Sequence, residues 1–162
     1  MEIGGLPLHP LVVHAAVMLT PLAAALVAAF AVREQWRWLT RWPAALTTLA
    51  AMATLLVAKL SGTSLLNARS YLLQSPVLAA RIHTHQTRAN QLVLVMLVFT
   101  AVALLGAWSL GGPSALASGR GARESRVAAL DRVLPALLVL GAVAVLVWVV
   151  LTGDAGARAV WG

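Results

Sequence analysis

Four stretches of this chain, 11–32, 42–60, 85–108 and 133–152, are apolar almost without interruption. Each has about 20 residues, which at ~1.5 Å per residue reaches across the ~30 Å hydrocarbon core of a bilayer. A backbone at that depth must satisfy its own polar groups, so the stretches must be helices. With 162 residues and four spans, little chain remains for a second domain. The fold expected is all-α: a polytopic membrane protein with one antiparallel four-transmembrane-helix bundle over 1–162. Residues 64–75 read as an interfacial helix, because Leu65, Leu66, Leu72 and Leu73 alternate with Asn67, Arg69 and Gln74 before Pro76. The first span is not expected to be a cleaved signal peptide. Residues 1–10 contain no Lys or Arg, carry Glu2, and precede too long an apolar run.

Composition agrees with this class. Sixty per cent of residues are hydrophobic and 10% are charged, against about a quarter charged in a soluble domain. The net charge is +7, carried by loop arginines that suit lipid headgroups and form no aromatic-interleaved stripe for nucleic acid. Trp36, Trp38, Trp42 and Trp108 mark one headgroup level. Residues 111–125 are rich in Gly, Ser and Ala and read as a flexible solvated loop. No cysteine is present, which removes disulfides, thiolate metal sites and covalent haem attachment. No internal repeat is evident.

Orientation rests on Lys and Arg. Arg33, Arg37, Arg41, Arg120, Arg123, Arg126 and Arg132 fall in the first and third loops; Lys59, Arg69, Arg81, Arg88 and Arg158 fall on the other side. The excess places both termini outside the cytoplasm of a bacterial inner membrane. An even number of spans also puts His9, His14, His83, His85, Lys59 and Asp154 at one common face.

Those four histidines are all the chain has. Titratable groups are costly in membrane helices and mark functional sites there. His9 and His14 are separated by about 140° around a helix, so they need not share a partner. His83 and His85 are about 200° apart, so at most one of them faces the bundle core if both are helical. His83 shares a polar stripe with Thr87 and Asn90, and His85 an apolar one with Ala89, Leu92 and Met96. Small residues recur every four positions at Ala16, Thr20, Ala24 and Ala28, and again at Ala50, Thr54 and Ala58. That spacing is the ordinary means of close helix packing in membranes.

The opening G-L-P-L-H-P-L-V-V-H, Gly5 to His14, resembles the start of a bacterial family of predicted membrane proteins of unknown function, whose usual opening is G-x-P-x-H-P-x-x-V-H. The resemblance continues through Ala80, Arg81, His85, Arg88, Ala89 and Asn90. It ends with T-G-D-x-G-A from Thr152 and V-W-G at the C-terminus. It matches His9, His14 and His85 and leaves His83 as an extra. Relatives often carry His where this chain has Asp154. The family's members are suspected of binding haem or a metal ion.

The expectation is a b-type haem near the outer face, serving electron transfer. One imidazole would come from the first helix (His14 or His9) and one from the third (His85 or His83). Arg81 and Arg88 would pair with the propionates. The alternatives are a zinc, copper or iron site built from His9, His14, His85 and Asp154, and a non-catalytic accessory or scaffold subunit. Expected partners are lipid, a redox protein or quinone, and further copies of the chain. The chain shows no nucleophile–base pair, phosphate loop or paired carboxylates, and reads as an electron carrier or binding protein rather than an independent enzyme.

Overall fold

A computed structural model describes residues 2–3, 6–114 and 116–162. Gly5, which opens the sequence motif, lies outside the described residues. Two very short strands, Glu2–Ile3 and Leu6–Pro7, pair antiparallel before the first helix. Four long helices follow: α1 (Leu8–Val32), α2 (Arg37–Ala68), α3 (Pro76–Ser109) and α4 (Val133–Trp161). All four are long and apolar enough to cross a membrane.

Local chemistry sets the helix starts. Pro10 sits in the first turn of α1, where its missing N–H costs nothing. Pro76 opens α3, and the Ser75 hydroxyl before it accepts the Leu78 N–H at 3.5 Å. All four helices outrun their apolar stretches, α1 by only the three residues from Leu8 to Pro10. α2 begins five residues earlier than expected and continues to Ala68, followed by a 3-10 turn over Ser70–Gln74 rather than an interfacial helix. α3 begins nine residues early, and α4 runs on past Thr152 to Trp161. In each case polar residues extend a helix already nucleated by an apolar segment, because propagation costs less than nucleation.

α1 packs against α2 and α4, and α3 packs against α4 and α2. The contact ends are specific: His9 near the start of α1 meets Ala58 in α2, and Arg37 at the start of α2 reaches Phe30 near the end of α1. The core combines a few large residues, Phe30, Phe99, Met96 and Leu138, with many small ones. Ala23, Ala51, Thr20 and Thr48 are all fully buried. Large apolar side chains face outward instead, with Leu94, Leu140 and Val150 all more than 60% exposed. Of the small residues read as packing positions, Ala16, Thr20, Ala24 and Ala58 are buried, whereas Ala50 is exposed.

The far end of the bundle is closed by two arginines. Arg37 Nη1 donates to the Gly111 carbonyl at 2.7 Å, and its Nε donates to Phe30 at 3.3 Å. Arg41 donates to the carbonyls of Ala107 and Leu110. Both guanidinium groups are buried and lie within 6 Å of the Phe30 ring centre. They satisfy the orphan carbonyls at the ends of α1 and α3, where the helix dipole also favours a cation. The loop above them is laid down rather than free. Gly112 and Arg123 form a β-bridge, and the Ser125 hydroxyl accepts the Gly111 N–H at 2.9 Å.

Candidate functional site

Two histidines are held between helices. His9 Nδ1 donates to the Ala58 carbonyl of α2 at 2.9 Å, with Ser61 Oγ at 3.4 Å. His85 Nδ1 donates to the Thr152 carbonyl of α4 at 3.1 Å. Both rings are half-buried. Each lies against a glycine one turn beyond the carbonyl it uses. A β-carbon on Gly62 would come within 3.0 Å of His9 Cε1, and one on Gly156 within 3.0 Å of His85 Cε1. The bare glycine lets the ring reach a helix carbonyl that a side chain would screen.

This hydrogen bonding fixes the chemistry of both rings. A carbonyl oxygen only accepts, so each neutral ring carries its proton on Nδ1. Nε2 is then an unprotonated base with its lone pair free. That is the state in which imidazoles ligate metals, with the second nitrogen oriented by a carbonyl or carboxylate. Arg37, at the start of α2, reaches both Phe30 of α1 and Gly111 after α3, so the opposite ends of these helices, which carry the two seats, also lie together.

The remaining sequence-derived residues divide. His14 is exposed and turned back on its own helix, donating through Nδ1 to the Pro10 carbonyl at 2.6 Å. His83 is exposed, so the apolar stripe, not the polar one, turns inward. Asp154 does not orient a histidine. Its position is helical because α4 continues, and its carboxylate accepts from Arg158 Nε at 2.9 Å on the exposed surface. The Thr152 carbonyl, two residues earlier, orients His85 instead. Among the described residues no group of three or more His, Cys, Asp or Glu comes together, so His9, His14, His85 and Asp154 do not assemble as one metal site. Arg81 lines a hollow of about 220 Å³ with Ala80, Thr84, Ala155 and Arg158, beside the seat of His85. Arg88 is half-buried and directed at Gln91 of its own helix, 3.5 Å away.

Sequence reasoning missed Gly62 and the two carbonyls, and met Gly156 only as part of the closing T-G-D-x-G-A motif. The available signal was a glycine inside a helix, which marks a close approach where it is not a cap. It also took Arg37 and Arg41 for loop charges, whereas both are buried.

No family model, curated protein or solved structure matches this chain.

Proposed function

We propose that this chain is an integral membrane protein, an antiparallel four-helix bundle, that holds a b-type haem through His9 and His85 for electron transfer. The observation that carries the reading is the matched state of the two imidazoles. Both have Nδ1 committed to a backbone carbonyl and Nε2 free. Two such imidazoles could hold an iron porphyrin without a third side chain. The outward-facing Leu and Val residues and the four long apolar helices support insertion in a bilayer. The Arg excess in the first and third loops favours both termini outside the cytoplasm of a bacterial plasma membrane.

When bound, the haem would supply one-electron redox chemistry. The chain's own part is to fix the two imidazoles, and Arg81 and Arg88, on the same stretch of α3 as His85, would meet the propionates. Electrons would be exchanged with a redox protein or a quinone.

A second reading, a single copper ion between the two Nε2 atoms, is favoured by one observation. Each seat offers one free imidazole nitrogen, and no carboxylate joins them among the described residues, a donor set that suits copper and needs less room than a macrocycle. Zinc is the poorer match, since its sites use three or four protein ligands.

The test is the visible spectrum of detergent-purified protein supplemented with hemin. A Soret band with sharp reduced-state bands is expected, lost in His9→Ala and His85→Ala and kept in His14→Ala and His83→Ala. A colourless wild type overturns the haem reading. Stoichiometric copper in that protein then supports the second reading, and no metal leaves the histidines as structural ties.

A further inference from the structure

The two histidine seats share more than their chemistry. His85 lies 76 positions after His9, and Gly156 lies 94 positions after Gly62. These two offsets, taken from the seats alone, also predict the rest of the packing. In α1 the buried positions from Ala16 to Phe30 are 16, 20, 23, 24, 27 and 30, and α3 is buried at 92, 96, 99, 100, 103 and 106. Every buried residue of α4, from Leu134 to Ala155, has a buried counterpart 94 positions earlier in α2, from Thr40 to Ser61. The carbonyls obey the same offset: Ala58 corresponds to Thr152. The neighbours match as well, since each odd-numbered helix packs on both even-numbered ones.

We infer that the chain is one helical hairpin used twice in tandem, and that Gly62 and Gly156 are equivalent positioning residues that aim His9 and His85 at a single site on the axis relating the two halves. The identity of the ligand at that site rests on the proposed function; the duplication and the positioning role do not. Matched positions differ in residue type because they face each other near the axis, where room for one large side chain excludes a second. Ala16 corresponds to Leu92, Thr20 to Met96, and Phe30 to Gly106. Close-packed interiors require this alternation of large and small. Away from the axis, at the seats, the same pair of residues serves both halves.

Two measurements on the full-length protein test this. The first is ¹⁵N NMR of histidine-labelled protein without added ligand. Both His9 and His85 should be neutral with the proton on Nδ1, Gly62→Ala should shift only the His9 ring, and Gly156→Ala only the His85 ring. The second is hemin titration, in which each glycine variant should weaken binding by about 10- to 100-fold, the two factors lying within tenfold of each other. Where Gly62→Ala fails to fold, the double variant His9→Ala/Gly62→Ala should fold, because the ring that the new methyl meets is gone. A proton on Nε2 of either ring, a ring shift from one glycine only, or a double variant no better folded than Gly62→Ala overturns the inference. A wild type that binds no hemin overturns the haem reading alone, and the NMR measurement still decides this one.

Discussion

The Phe99 ring of α3 occupies the space that a side chain on Gly141 of α4 would fill: a β-carbon there would lie 2.8 Å from Cδ2. Phe99 is 2% exposed and cannot swing aside within a close-packed core. Gly141→Ala should therefore destabilise the bundle by about 1–3 kcal/mol through overpacking. Gly153, in the same helix, has nothing within 4 Å of its β-position. Gly153→Ala should be neutral or stabilising by up to ~1 kcal/mol through helix propensity. Thermal unfolding of both variants in one detergent checks the pair. Equal effects would mean that the α3–α4 contact does not depend on this close approach.

This contrast also shows what could be read from the sequence. The four helices were legible because a long apolar run admits few other structures in a bilayer. Their ends were not, since residues such as Asp154 and Arg158 are indifferent to helix or loop until an adjacent segment nucleates them. His9 and His85 were among the candidates and the family resemblance matched both; only the polar stripe favoured His83, because an interfacial stripe looks the same from either side. The repeat was illegible for a different reason. Complementary packing across an axis makes equivalent positions diverge, as with Phe30 and Gly106, so sequence similarity survives mainly where the seats demand it.

The arginine closure gives the second prediction. Arg41 joins the Ala107 and Leu110 carbonyls, two groups that nothing else among the described residues satisfies through a side chain. Arg41→Met should cost about 2–4 kcal/mol, because charged hydrogen bonds are worth ~1.5–3 kcal/mol each and the carbonyls are left behind. Arg41→Lys should recover little of this, since one ammonium lacks the guanidinium fork. Denaturation of both variants beside wild type is the check. Wild-type stability in Arg41→Met would make the closure ornamental.

The third prediction concerns Asp154. Its partner is Arg158, and both side chains are more than half exposed. Exposed pairs at this spacing contribute about 0.3–0.5 kcal/mol. Asp154→Asn should keep the fold and leave the hemin affinity and midpoint potential of the wild type unchanged. A shifted potential with unchanged affinity would bring the carboxylate back into the site's electrostatics.

Topology supplies the fourth. Ser70 lies between α2 and α3 and Ser118 between α3 and α4, both exposed. The proposed four-span topology puts them on opposite membrane faces. In membrane vesicles of defined orientation, an impermeant thiol reagent should label Ser70→Cys from the side that also labels Gly162→Cys, and Ser118→Cys from the other. Labelling of positions 70 and 118 from one side would remove α3 from the set of spanning helices.

The duplication makes a fifth prediction about chain connectivity. If each half is the same hairpin, the order of the halves is immaterial to the packing, because α1 meets α4 as α3 meets α2. Gly162 follows α4 beside Arg81 of α3, and α1 starts at the same end of the bundle. A circular permutant that begins at Ser75, runs through Gly162, continues by a short Gly/Ser linker into Met1 and ends at Gln74 keeps every helix pair and the Ser75 cap of α3. The permutant should insert and fold, with a melting temperature within about 5 °C of wild type, a shift on the order of 1 kcal/mol for a domain of this size. It should also show the same ¹⁵N signature for both imidazoles. A permutant that folds but loses the Nδ1 proton on either ring would mean that the natural connection between α2 and α3, and not the repeated hairpin, sets the histidine geometry.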